Sequence, residues 1–229
     1  MFSKIIIVQD IITKEQAISI KGILHDFFQN TFLPKISNLS RPLDKKYGNF
    51  IERHLGRFEI IPPDDIVNSI WNILFNGFVE ENNVFGKVNQ IIQSEIQYNN
   101  PLSEKCIKEL GILPIEPHTK NGYWHRDVYF REPSYYQRKP FYITQVIYLD
   151  NLANTEFCIN SRHNSNNNYT KYDKKVICAQ PLSSVIFDGR HLHRGLANLT
   201  DETRYALYIS YYDSSYVDRE HLADPFLFT

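Results

Sequence analysis

Two short segments hold most of the residues that could do chemistry. Tyr123-Trp124-His125-Arg126-Asp127 places an imidazole and a carboxylate two positions apart, and Asp188-Gly189-Arg190-His191-Leu192-His193-Arg194-Gly195 brings two more imidazoles far downstream. On a strand, alternate residues share a face, so His125 and Asp127 would stand side by side. That pair suits a hard-to-borderline divalent metal. Alone, a His-x-Asp match says nothing in a chain with 8 His. With a distal histidine it becomes a two-histidine, one-carboxylate set. Such a set leaves positions open on an octahedral metal, two for a bidentate 2-oxo acid and one for dioxygen. Arg204 heads the apolar run Tyr205–Tyr212, which would return as a strand beside the one before His193. A guanidinium there can clamp a carboxylate bidentately, at about the reach of a five-carbon dicarboxylic acid from the metal.

The elements that must carry these residues fall into two textures. The amino-terminal part reads helical. Thr13 with Gln16 forms a capping box, and Ala17, Ile20, Leu24, Phe27 and Phe28 recur at helical spacing, which predicts a helix from Lys14 to Asn30. Pro62-Pro63-Asp64-Asp65 is a stop followed by a cap. Ile66, Ile70, Ile73, Leu74 and Phe78 then form a second apolar stripe, and Val84, Val88, Ile91, Ile92 and Ile96 a third. The segment Arg41–Ile61 carries no clear pattern. After Pro101, short runs rich in Ile, Val, Tyr and Phe alternate with turn residues: Tyr142–Leu149, Glu156–Ile159, Lys175–Ala179, Ser184–Phe187 and Tyr205–Tyr212. This spacing predicts an antiparallel barrel or jelly roll. The expected architecture is mainly β with a helical flank: residues 1–229 as one domain, with helices over about 1–100 packed on a β core over about 105–213.

Composition narrows the function classes. The chain of 229 residues has 25 Lys+Arg against 26 Asp+Glu, a net charge of −1, which argues against a dedicated nucleic-acid binder. With 42% hydrophobic residues it is neither disordered nor fibrous. No apolar run is long enough to span a membrane, and Ile5–Val8 is too short for a signal-peptide core. The expected setting is therefore soluble and intracellular, cytoplasmic by default. Cys106, Cys158 and Cys178 are odd in number and widely spaced, which fits reduced thiols better than a disulfide framework.

The motifs together resemble the phytanoyl-CoA dioxygenase-like family of Fe(II)/2-oxoglutarate-dependent oxygenases. The likeness rests on His125-Arg126-Asp127, Phe187–His193, the stretch Asn198–Arg204, and Tyr142–Asp150 ending in Leu149-Asp150-Asn151. Ile159–His163 is similar to a Pro-Gly-Ser-His turn common in that family. The resemblance implies a double-stranded β-helix (jelly roll, cupin-like) core. It implies Fe(II) held by His125, Asp127 and His193, 2-oxoglutarate held by Arg204, and O2 as co-substrate. Either His191 or His193 could be the distal ligand; His193 places Arg204 at the family spacing. Related halogenases replace the carboxylate by a small residue, so the retained Asp127 favours hydroxylation or another C–H oxidation. The co-substrate would be converted to succinate and CO2.

Three positions depart from the family. A small hydroxyl residue two after the distal histidine is replaced by Gly195, a Trp before the Leu-Asp pair by Ile147, and the Pro-Gly-Ser-His turn reads Asn160-Ser161-Arg162-His163. Thr144, Gln145 and Tyr129 are the candidate substitute hydrogen-bond donors. Lys120, Arg126, Arg131, Arg190 and Arg194 gather around the expected mouth. They suggest a small-molecule substrate of anionic character, or else a solvated rim. Nucleic-acid demethylases of this superfamily carry a second Arg where Ser210 stands, and collagen-type prolyl hydroxylases a Lys where Arg204 stands, so neither polymer is the expected substrate. The alternative function is a cupin-like metal-binding protein that is non-catalytic or independent of 2-oxoglutarate. Oligomeric state is not encoded in any pattern.

Overall fold

A computed structural model describes residues 5–41, 49–75, 84–91, 106–128, 142–149, 153–163 and 168–213. Strands β1 (Ile6–Val8), β2 (Phe50–His54), β3 (Arg57–Ile60), β4 (Cys106–Ile115), β5 (Tyr142–Tyr148), β8 (Ser184–Asp188) and β10 (Arg204–Asp213) build a large sheet in the order β1-β8-β5-β10-β4-β3-β2. Strands β6 (Ala153–Cys158), β7 (Lys174–Ala179) and β9 (His193–Gly195) form a smaller sheet in the order β7-β6-β9. Every ladder among the described residues is antiparallel. The fold is mainly β with helices on its amino-terminal side, as the texture of the sequence predicts.

The central strands are covered on both faces, which is why they read as continuous apolar runs instead of alternating ones. All seven residues of β5 are buried. Ile143 and Ile147 of β5 and Tyr205, Leu207, Ile209 and Tyr211 of β10 pack against the helices, chiefly Ile20, Leu24, Phe28, Ile70 and Leu74. Their neighbours Val146, Tyr148, Ala206 and Tyr208 face the smaller sheet, where they meet Phe157, Ile177 and Ala179. The two sheets are thus stacked about a second apolar cluster. Val146, Phe187 and Tyr208 of this layer also line a cavity that His125, Asp127 and His193 enter.

The helices are α1 (Lys14–Asp26), α2 (Leu33–Ile36), α3 (Asp64–Phe75) and α4 (Val84–Ile91). Thr13 caps α1 as expected: its hydroxyl accepts from the Gln16 amide at 3.2 Å while the Gln16 side chain accepts from the Thr13 amide at 2.9 Å. The helical path does not stop at Asn30. It widens into a π-helical stretch over Phe27–Phe32 and resumes as α2, with Pro34 in its first turn. The wider turn places Phe27, Phe28 and Phe32 in the core together. Of the second and third stripes, Phe78, Ile92 and Ile96 lie outside the described residues.

The segment without a sequence pattern holds the hairpin β2–β3, which extends the large sheet beyond β4. Its turn is Leu55-Gly56, with Gly56 at φ +80°, a conformation glycine adopts without strain. Glu52 is buried inside the hairpin and accepts from the Gly56 amide at 2.9 Å and from Arg41 Nη2 at 2.6 Å. A charged residue in a core position hides the strand from hydropathy. The short run Ile6–Val8 is also structural, pairing with β8 at the opposite edge.

Candidate metal centre and its two cavities

The chain between Gly122 and Asp127 runs antiparallel beside β9, extending the smaller sheet at its edge. His125 and His193 exchange both backbone hydrogen bonds at 2.9 Å, Gly122 donates to the Gly195 carbonyl, and Asp127 donates to the Gly189 carbonyl. This pairing brings together residues far apart in sequence. It also places His125 and Asp127 on the same face as His193, the residue paired directly with His125.

Each imidazole is oriented through its Nδ1. His125 Nδ1 lies 3.0 Å from the Tyr123 carbonyl, and His193 Nδ1 lies 2.9 Å from the His191 carbonyl. A carbonyl only accepts, so Nδ1 carries the hydrogen and Nε2 presents its lone pair. Both Nε2 atoms face Asp127 Oδ1, at 3.8 Å from His125 and 3.4 Å from His193. The ligand atoms of the three side chains lie within 4.8 Å of one another. Three acceptors turned on one point, with their donors spent elsewhere, form a seat for a cation.

Electrostatics agree. Burial, then the charge of His193, pushes His125 well below its ordinary value. Burial raises the Asp127 carboxyl against the opposing effects of His193 and the Thr144 hydrogen bond. A divalent cation would reinforce the first tendency and reverse the second, because the ligating forms are the neutral imidazole and the carboxylate. Phe157 stacks on His193 with ring centroids 5.6 Å apart, and Phe187 meets it edge-on at 4.8 Å. These rings fix the imidazole and keep its surroundings apolar.

Two cavities open from the cluster. One is lined by Thr144, Tyr142, Tyr208, Ser210, Glu109 and the Arg53–Glu59 pair, besides His125, Asp127 and His193. The other extends from His125 and His193 past Val146 and Phe187 to Tyr148, Thr155, Arg57 and Arg204. Tyr148 and Thr155 share a 2.7 Å hydroxyl contact there. Burial pushes Tyr148 up to about 12, against that hydrogen bond and the charge of Arg204. Arg57 is lowered to about 9, first by burial and then by the charge of Arg204.

The structure therefore brings His125, Asp127, His193, Thr144 and Arg204 to connected cavities. Thr144 Oγ1 donates to Asp127 Oδ2 at 2.5 Å, so it acts on the carboxylate itself. Gln145 is on the other face of β5, where its Nε2 donates to Ser184 Oγ and its Oε1 accepts from Tyr211 at 2.8 Å. Strand alternation excludes it from the site that Thr144 enters. Tyr129 lies outside the described residues. His191 is fully buried and its Nδ1 lies 3.1 Å from the Asp188 carbonyl, behind the cluster.

Among the described residues, Arg126, Arg190 and Arg194 do not form the mouth expected of them, and Lys120 lines neither cavity. Arg126 and Arg190 are fully buried. Arg190 pairs with Asp188 at 2.6 Å, and Arg126 donates to the Ser161 and Arg190 carbonyls. Arg194 pairs with Glu156 at 2.8 Å and lies over the Trp124 ring. Arg131 is outside the described residues. The arginines that line the cavities are Arg53, Arg57 and Arg204. Of these, Arg53 and Arg57 were missed because both sit on the unassigned hairpin. The Leu55-Gly56 turn was the signal available to find it.

No protein-family profile and no curated protein sequence matches the chain. Solved structures do. The non-heme alpha ketoglutarate dependent epimerase SnoN of nogalamycin biosynthesis superposes with a TM-score of 0.61 at 10% identity, over 91% of this chain and 77% of that one. SnoN has also been solved with Fe3+, alpha ketoglutarate and nogalamycin RO. The carbocyclase SnoK of the same biosynthesis, also alpha ketoglutarate dependent, gives 0.58 at 11% identity over 91% and 80%. AviO1 from Streptomyces viridochromogenes Tue57 gives 0.55 at 14% identity over 97% and 92%. At such identities the likeness carries the fold: this chain has the fold of non-heme alpha-ketoglutarate-dependent enzymes.

Proposed function

We propose that the protein is an Fe(II)- and 2-oxoglutarate-dependent oxygenase acting on a small molecule, in one domain with a double-stranded β-helix core of the phytanoyl-CoA dioxygenase-like kind. The observation that carries this reading is the convergence of His125 Nε2, His193 Nε2 and Asp127 Oδ1 at the head of a cavity that Arg204 lines. The donor set fits iron: two imidazoles and one carboxylate on one side, with the other side left to the cavities. SnoN, solved with Fe3+ and alpha ketoglutarate, supports the same pair of groups in this fold.

The residues of the chain divide the work. His125, Asp127 and His193 would hold the iron, and Arg204 would bind the distal carboxylate of 2-oxoglutarate. When bound, the metal, 2-oxoglutarate and dioxygen would supply the oxidising chemistry, one oxygen atom of O2 going into the succinate formed with CO2 and the other to the oxidation of the substrate. Phe157, Phe187 and Val146 exclude water around His193 and keep the electrostatics strong. The cavity of Tyr142, Tyr208, Ser210 and the Arg53–Glu59 pair takes the substrate. Its charges are Arg53 against Glu59 and Glu109, a lining that offers no excess of positive charge to an anion. The product class is a hydroxylated or otherwise C–H-oxidised substrate. Structures of this fold include an epimerase and a carbocyclase, so outcomes other than hydroxylation belong to the same reading.

The test is spectroscopic. Under anaerobic conditions, Fe(II) with 2-oxoglutarate is expected to give a weak visible charge-transfer band that is lost in His193→Ala. Arg204→Ala is expected to weaken 2-oxoglutarate binding while leaving metal binding intact. Folded wild-type protein that binds iron but shows no band would favour the metal-binding alternative.

A further inference from the structure

Two guanidinium groups enter the co-substrate cavity from one face of the large sheet. Arg57 on β3 and Arg204 on β10 both register with Ile115 of β4, which lies between them. Their backbones are thus two strands apart, roughly 10 Å, yet the side chains converge. Arg57 Nη1 and Arg204 Nη2 donate to the same Leu196 carbonyl, at 3.1 and 3.0 Å. Each residue is only 7% exposed.

The partners of Arg57 are neutral. Besides Leu196, its Nη1 donates to the Lys120 carbonyl at 3.2 Å, and among the described residues no carboxylate pairs with it. Both bonds come from Nη1, so the hydrogens on Nε and Nη2 remain for a ligand. Keeping the Arg57 charge out of water beside Arg204 is costly unless an anion lies with it.

Gly195 makes the arrangement possible. A Cβ at that position would overlap Arg57 Nη2, and a Cβ on the adjoining Gly122 would press on Arg57 Nε at 3.2 Å. The two glycines are hydrogen-bonded neighbours, Gly122 N donating to the Gly195 carbonyl. They open a slot that the Arg57 side chain fills. Position 195, where the resembled family carries a hydroxyl, has no side chain here, and a guanidinium from the amino-terminal hairpin stands in that space.

We propose that Arg57 is a second clamp on the distal carboxylate of the 2-oxo acid, acting with Arg204 and replacing the hydroxyl absent at Gly195. This rests on the oxygenase reading above. The hairpin β2–β3 then belongs to the co-substrate site, and the pair of guanidinium groups selects a dicarboxylic 2-oxo acid over a monocarboxylic one.

The experiment is anaerobic titration calorimetry of Mn(II)-loaded protein with 2-oxoglutarate and with 2-oxopentanoate, which has the same carbon chain without the distal carboxylate. Arg57→Ala is expected to weaken 2-oxoglutarate about 10- to 100-fold, the range for a hydrogen bond to a charged group. It should leave 2-oxopentanoate and Mn(II) within about threefold, the scatter of an unrelated surface change. Arg57→Lys, which keeps the charge but not the fork, should fall between, and it carries the test if the alanine variant does not fold. Arg57→Ala with Gly195→Ser should recover part of the loss. Unchanged 2-oxoglutarate affinity, or equal loss for both acids, would overturn the proposal while leaving the oxygenase reading standing. Wild-type protein that binds Mn(II) but neither acid would overturn the oxygenase reading, and this proposal with it.

Discussion

Thr144 and Asp127 divide one carboxylate between two tasks. The Thr144 hydroxyl donates to Oδ2 at 2.5 Å, while Oδ1 faces the two imidazoles. The bond fixes the rotation of the carboxyl group and leaves one oxygen for a metal. Residues that orient metal ligands in this way are worth about 10- to 100-fold in metal affinity. Thr144→Val is therefore expected to lower Fe(II) or Mn(II) affinity by that amount, and Thr144→Ser to retain it. Anaerobic metal titration reads the difference; equal affinity in all three proteins would mean that Asp127 is held by something else.

The Asp188 carboxylate is the counter-charge of a buried network behind the site. It accepts from the Arg190 amide at 3.0 Å, from Arg190 Nε and Nη2 at 2.9 and 2.6 Å, and from Arg162 Nη1 at 3.2 Å. Asp188→Asn removes the carboxylate charge that faces buried Arg190 and Arg162, at a cost of about 3–5 kcal/mol. For a chain of this size that corresponds to a melting temperature lower by roughly 10 °C. A smaller drop than a few degrees in thermal melts at pH 7 would contradict the assignment.

The same residue sets a pH dependence. Burial alone would raise the Asp188 carboxyl; the Arg190 hydrogen bonds and charge outweigh it and hold it below the ordinary carboxylate value. A carboxyl lowered on folding contributes stability that is fully present above the unfolded value of about 4 and is lost as pH falls through the folded one. The gap in stability between wild type and Asp188→Asn should therefore be greatest at neutral pH and shrink below about pH 4. Urea unfolding across that range measures it, and a gap that widened in acid would refute the sign.

Gly111 on β4 sits beneath the Tyr208 ring, which a Cβ at Gly111 would overlap. Tyr208 is in turn a wall of the proposed substrate cavity. Gly111→Ala must displace the ring, an overpacking cost of about 1–3 kcal/mol, and should alter turnover without changing metal affinity. Adding Tyr208→Val should restore stability in a double-mutant cycle. Additive losses would show that the two positions do not meet.

At the other end of the chain, Thr13→Ala removes the hydroxyl that caps α1 and should cost about 1 kcal/mol. Gln16 keeps its hydrogen bond to the Ile73 carbonyl of α3 at 2.8 Å, so the loss should stay local. Hydrogen exchange confined to the first turn of α1 is the expected signature; exchange spreading into α3 would show that the cap holds both helices.

The grouping of His125, Asp127 and His193 was legible from a His-x-Asp pair at strand spacing and a distal histidine, and the structure brings their ligand atoms within 4.8 Å of one another. The capping box and the strands Tyr142–Tyr148, Lys174–Ala179 and Ser184–Asp188 were legible for the same reason: local chemistry and tertiary environment agree. The hairpin β2–β3 was hidden because its interior carries Glu52 and Arg57, charged groups satisfied by partners far off in sequence. Arg126 and Arg190 misled in the opposite direction. As sequence they read as a basic rim, whereas Asp188 and backbone carbonyls draw them into the core. Gln145 failed on parity alone, one residue out of phase with Thr144.

That parity has a wider consequence. On β5 and β10, positions 142, 144, 146 and 148 and positions 204, 206, 208 and 210 line the cavities, while the residues between them face the helical side. Specificity and robustness are therefore written on alternate letters of the same two strands. On the proposed function, selection can rewrite positions 142, 208 and 210 for a new substrate without disturbing the odd ones that hold the helices in place. A single inserted residue would exchange the two alphabets at once, so variation in this protein should come by substitution within these strands and by length change only outside them.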